Sequence, residues 1–76
     1  MTPNELLQSE YSIREMKYVG GSTCYQPILY TGEVFSIFYT YKEAENNVLR
    51  WLAKHSTAYD VRFAAVEIMK DKGVSF

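Results

Sequence analysis

The clearest periodicity in the chain lies over residues 40–55. Tyr41, Ala44, Val48, Trp51, Leu52 and His55 recur at intervals of three and four, which on a helix is one face. Lys42, Glu43, Asn46, Arg50 and Lys54 fill the remainder. Thr40, followed three residues on by Glu43, forms a capping box. Glu43 and Glu45 near the start and Lys54 near the end have the signs a helix dipole prefers. A shorter helix is predicted at the N-terminus, where Thr2 can cap, Pro3 suits the first helical position and Glu5 lies three residues after the cap. Leu6 and Leu7 then give it one apolar edge. A segment this short frays alone, so it is expected to dock its leucines on a sheet or to stay a loose arm.

Between these helices the period changes to two. Residues 11–19 read as a first strand, with Tyr11 and Ile13 on one face and Met16 and Tyr18 on the other. The slip at Arg14-Glu15 predicts a bulge. Gly20-Gly21-Ser22 reads as a turn, and residues 23–31 as a second strand. Pro27 lies inside that strand and cannot donate a ladder hydrogen bond, which predicts an edge position or a bulge. After Thr31-Gly32, residues 33–39 give the densest strand pattern. Phe35, Ile37 and Tyr39 alternate with Val34 and Phe38, so a central strand covered on both faces is expected, or one with a face that binds something.

Residues 60–72 admit two readings. Val61, Phe63 and Ala65 alternate as in a strand, whereas Val61, Ala64, Ala65, Ile68 and Met69 fit a helix that Gly73 would end. The β-branched and aromatic content favours the strand, as does the need for a partner that fixes the Trp51 helix on the sheet. The expected fold is therefore α+β: a small antiparallel β-sheet, made of a β-meander plus a C-terminal strand, packed against one main α-helix, with a short N-terminal helix. No repeat or linker divides the chain, and residues 1–76 are expected to form a single domain at the small end of what folds alone.

Composition removes several classes of function. An apolar fraction of 47% with 22% charged residues is that of a globular chain. A core this small has no volume to spare for a large enclosed ligand, so no cofactor is expected. The formal net charge of -1 supplies no long-range field to gather phosphate backbones. The longest apolar run, residues 34–39, is far too short to cross a bilayer, so no membrane association is expected. The single cysteine, Cys24, cannot make an intrachain disulfide and fits a reducing compartment. Glu5 and Glu10 stand where a signal peptide would carry basic residues. A cytoplasmic location is expected.

The chemistry-bearing residues are few. His55 is the sole histidine, placed where a helix C-terminus favours a cation. Ser56 and Asp60 are its neighbours in sequence, but a triad needs partners arranged in space. Cys24 lies among ordinary strand residues and reads as a small core thiol. One cysteine and one histidine cannot close a tetrahedral zinc site, and no loop carries the calcium-binding pattern. Gly20-Gly21-Ser22 leads into a strand, whereas a phosphate-cradling loop leads into a helix. No catalytic residue, metal or cofactor is expected, and the chain is read as not an enzyme.

The remaining signal is aromatic. Seven tyrosines, four phenylalanines and one tryptophan exceed what a domain of 76 residues can hide. They either pair across strands or form a contact surface, since Tyr and Trp offer large rigid area with a polar handle. A strand reading Ser12-Ile13-Arg14-Glu15-Met16-Lys17-Tyr18 leads through Gly20-Gly21-Ser22 to a second strand. A third then ends in Phe38-Tyr39-Thr40-Tyr41-Lys42-Glu43-Ala44-Glu45, which opens a helix. This order resembles that of small uncharacterised proteins encoded in bacteriophage genomes. The resemblance implies a host-directed accessory protein, working in the host cytoplasm by plugging a site on a host defence or transcription protein. It carries no site residue over.

The expected function is that of a non-enzymatic protein-binding module, a phage-encoded inhibitor of a host-defence or host-takeover target being one form of it. The expected partner is another protein, bacterial in origin. Tyr18, Tyr25 and Tyr30 on the first hairpin are the expected partner-binding anchors, and self-association as a homodimer is expected as well. The alternative is a nucleic-acid-binding accessory domain, in which Arg14, Lys17 and Lys42 accompany base-stacking aromatics.

Overall fold

Two threonines open two helices. The computed structural model describes residues 2–75. Thr2 Oγ1 accepts the Glu5 N–H at 3.2 Å and starts α1 (Pro3–Gln8). Thr40 Oγ1 accepts the Glu43 N–H at 3.1 Å and starts α2 (Tyr41–His55). Each bond satisfies one of the orphan donors of a first helical turn. Between these helices run β1 (Tyr11–Lys17) and β2 (Thr23–Leu29), paired antiparallel. The register is unbroken from Tyr11 opposite Leu29 to Lys17 opposite Thr23, so the bulge expected at Arg14-Glu15 is absent. The apolar residues change face there for a different reason. Tyr11 lies beside the helical core, whereas Met16 pairs with Cys24 on the opposite face of the ladder. At the hairpin tip the Tyr18 N–H donates to the Ser22 carbonyl at 2.9 Å. Gly20 and Gly21 turn the chain with φ of +106° and +89°, values that glycine adopts without strain.

The C-terminal strand expected over residues 60–72 is not there. Those residues form a helix, α3 (Tyr59–Lys72). Val61, Ala64, Ala65 and Met69 are its buried residues, and the spacing of three and four among them decides the matter. A strand would have hidden Phe63 with Val61 and Ala65; Phe63 is instead 67% exposed. Gly73 ends the helix at φ +73°. Its N–H donates to the Lys70 carbonyl at 3.1 Å, and the Val74 N–H donates to the Met69 carbonyl at 2.8 Å.

The architecture is α+β, with a two-stranded antiparallel sheet and two long helices rather than one. α2 packs on both strands and on α3, and α3 packs on α2 and α1. The core therefore lies around α2, where Ala44, Val48, Leu49, Leu52 and Ala53 are buried. Leu7 brings α1 into the same cluster. Trp51 is only half-buried, leaning on Phe35 with ring centroids 5.6 Å apart. The buried face is rotated from Trp51 towards Leu49 and Ala53 because α2 has α3 to cover as well as the sheet. An ion pair between Lys72 Nζ and Glu45 Oε1 ties the end of α3 to the start of α2. The Arg50 Nε–H donates to the Ser75 carbonyl at 2.9 Å.

Candidate functional site

The surface that stands out is created by Pro27. In β2, Tyr25, Pro27 and Leu29 turn their backbone polar groups away from β1 and towards residues 33–39. The Tyr25 N–H donates to the Phe38 carbonyl at 2.7 Å, and the Phe38 N–H returns the bond at 2.8 Å. Pro27 accepts the Phe35 N–H at 3.0 Å but has no N–H to give back. The Gln26 side chain supplies the missing donor, its Nε2 reaching the Phe35 carbonyl at 2.9 Å. Residues 33–39 consequently follow β2 through two isolated bridges, Ile28 with Val34 and Tyr25 with Phe38. Three steps along β2 match four along the outer segment, which amounts to a one-residue bulge.

This overturns one expectation and decides between two alternatives. Residues 33–39 are an irregular outer segment of the sheet, not its covered central strand. β2 lies between β1 and that outer segment, so of the two alternatives at Pro27 the structure has the bulge. The bulge also changes which side chains share a face. Phe35 faces the helices against Trp51, and Phe38 is bridged to Tyr25, whose ring meets Tyr41 edge-on at 5.8 Å. Val34, Ile37 and Tyr39 remain 56%, 44% and 77% exposed. Ile37 and Tyr39, with Tyr18 and Ser22, surround the buried Cys24 in an open hollow of about 430 Å³. No charged residue lines it. The helices thus pack on one face of the sheet and leave the other bare, apolar around the hollow, with Ser12, Arg14 and Gln26 further along it.

The three tyrosines expected as anchors are not brought together. Tyr18 is 48% exposed and borders the hollow beside Cys24. Tyr25 is half-buried on the helix-facing side. Tyr30 is exposed, but it lies in the turn at the far end of the hairpin. At the rise of an extended chain that is about 26 Å from Ser22, which pairs with Tyr18. Ile37 and Tyr39, which sequence reasoning did not single out as anchors, are the neighbours that Tyr18 has.

The chemistry-bearing residues are likewise separate. His55 packs against Trp51 with centroids 5.4 Å apart and ring planes tilted by 43°, in a shallow hollow of about 320 Å³ that Glu10, Glu33 and Tyr30 also line. Ser56 Oγ accepts the Ala58 N–H at 3.3 Å, and Asp60 Oδ1 accepts the Val61 N–H at 2.9 Å. Both therefore serve the turn into α3. Cys24 lies five residues back along β2 from Leu29, which lines the His55 hollow, about 16 Å away at extended rise. Among the described residues no group of three or more His, Cys, Asp or Glu is placed to hold a metal ion. No described helix is long and apolar enough to cross a membrane.

A second exposed apolar strip runs along α3. Tyr59 and Phe63 line a groove with Ala53 and Val66, flanked by Lys54 and Arg62, and Arg62 lies over the Tyr59 ring 5.9 Å from its centroid. One titratable group stands apart electrostatically. Burial, then the charges of Glu45 and Tyr41, push the Tyr11 phenol well above the usual tyrosine range.

No protein-family model matches this chain, and no curated protein or solved structure shows significant similarity to it.

Proposed function

We propose that this chain is a non-enzymatic protein-binding module whose partner docks on the bare face of the sheet, with Tyr18, Ile37 and Tyr39 as the anchors. The observation that supports this is an exposed apolar patch around a buried thiol, on the sheet face opposite the one packed against α2. Small monomeric proteins rarely leave such a face uncovered without a use for it. The partner presents an apolar, uncharged protein surface, because the hollow has no cation to meet a phosphate and no carboxylate to meet a base. That lining also weighs against the nucleic-acid alternative. A phage-encoded inhibitor of a host defence or takeover protein is one form of this reading, with the partner then bacterial and the setting the host cytoplasm. Self-association of the chain belongs to the same reading.

The experiment is a tagged pull-down from bacterial lysate, with and without nuclease, using wild type and Ile37→Asp in parallel. A partner retained after nuclease and in high salt, and lost with Ile37→Asp, supports the reading. Capture that disappears with nuclease or falls steeply with salt would favour nucleic acid. Turnover of a substrate by the purified protein would end the reading.

A further inference from the structure

The two outer edges of the sheet differ. The edge formed by residues 33–39 is interrupted by the Pro27 bulge. The β1 edge is regular over its whole length. Its hydrogen-bonding phase is fixed at both ends: the Glu10 carbonyl accepts the Tyr30 N–H at 3.0 Å, and the Tyr18 N–H donates to Ser22. Even-numbered residues of β1 therefore bond to β2, and Tyr11, Ile13, Glu15 and Lys17 turn their N–H and C=O groups outward. Among the described residues no backbone hydrogen bond reaches these four from the outer side. Such an edge is a template for another strand.

We propose that β1 pairs antiparallel with β1 of a second copy, with Ile13 on the two-fold axis. This rests on the self-association included in the reading above and specifies where it occurs. Among the registers that keep most of β1 paired, those centred on Ile13, Arg14 or Glu15, side-chain chemistry selects one. Placing Arg14 on the axis would set Arg14 against itself, and placing Glu15 there would set Glu15 against itself, both directly opposed like charges. With Ile13 on the axis, Ile13 meets Ile13 once, and the pairs Tyr11 with Glu15 and Ser12 with Arg14 each occur twice. No like charges then face each other, and the Tyr11 hydroxyl can donate to the opposing Glu15 carboxylate. The charges at Arg14 and Glu15, which would face their own kind with the axis one or two residues further along, here face uncharged residues. Pairing also joins the bare faces of two sheets into one continuous surface, so each dimer presents two hollows on the same side.

The test is the dimer dissociation constant of the full chain, measured by sedimentation equilibrium. Ile13→Pro deletes an outward donor without touching the ladder to β2, and proline is tolerated on an edge in that orientation; the expected result is a monomer with unchanged circular dichroism. Should that variant fail to fold, Ser12 gives a second route, since it is exposed and bonds only to β2. Ser12→Lys opposes two cations to Arg14 and is expected to weaken the dimer about tenfold, whereas Ser12→Glu is expected to tighten it several-fold. A wild-type chain that remains monomeric at high micromolar concentration overturns both this proposal and the self-association it rests on. A dimer indifferent to Ile13→Pro and to both Ser12 variants, or one lost with Phe63→Ser on α3, keeps self-association but overturns this edge. Neither result bears on partner binding at the bare face, which the pull-down reads separately.

Discussion

The two faces of the sheet are built from the same kinds of residue and do different work. On one, Phe35 and Tyr25 meet Trp51 and Tyr41 of α2, and Leu29 joins the buried cluster. On the other, Tyr18, Ile37 and Tyr39 have no layer above them. The covered face therefore carries the stability of the domain, and the bare face can be altered with little cost to the fold. Composition alone does not separate the two roles, because aromatic residues serve both.

The largest expected effect lies on the covered side. Leu49→Ala empties a fully buried site in α2 and should cost about 2–5 kcal/mol, a large fraction of the stability of a domain this size. Urea denaturation measures it. Trp51→Ala should cost less than the roughly 3–5 kcal/mol of a fully buried tryptophan, because Trp51 is half-exposed. A Trp51 variant as damaging as the Leu49 one would show that the sheet, and not α3, anchors α2.

Gln26→Ala comes next. It removes the side-chain donor that replaces the Pro27 N–H and should cost about 1 kcal/mol. Amide exchange should quicken at Phe35 and Phe38, while the β1–β2 ladder keeps its protection. Uniform loss of protection would mean that residues 33–39 are not a separable outer segment.

A smaller effect appears at high pH. The Tyr11 phenol is raised in the folded state, so its contribution to stability is present below the unfolded tyrosine value of about 10 and is lost as pH climbs from there towards the folded value. Spectrophotometric titration should show one tyrosine ionising only as the fold is lost. Tyr11→Phe should flatten the alkaline fall in melting temperature. The smallest change in stability is expected on the bare face, where Ile37→Ser should stay within about 0.5 kcal/mol of wild type.

How far the sequence could be read depends on how local each determinant is. The caps at Thr2 and Thr40, the α2 helix and the Gly20-Gly21 hairpin depend on neighbours within a few residues, and the structure has all of them; the buried face of α2, set by tertiary packing, is turned from Tyr41 and His55 towards Leu49 and Ala53. α3 is ambiguous in sequence because Val61 and Ala65 satisfy both periods; the burial of Ala64 and Met69 and the exposure of Phe63, tertiary facts, separate them. The bare face was partly legible. Pro27 signalled a bulge, but strict alternation grouped Ile37 and Tyr39 with Phe35, and the extra residue in the outer segment moves Phe35 to the other side. Tyr25 looked like an exposed anchor because its cover, Tyr41, is sixteen positions away and on a different element.

The most direct test of the bare face as the binding surface is the dissociation constant of Ile37→Asp for the captured partner, measured by calorimetry beside its melting temperature. A charge placed in an uncharged hollow should weaken binding by about thirtyfold or more, with melting unchanged within error. Wild-type affinity from a folded Ile37→Asp protein would contradict the account.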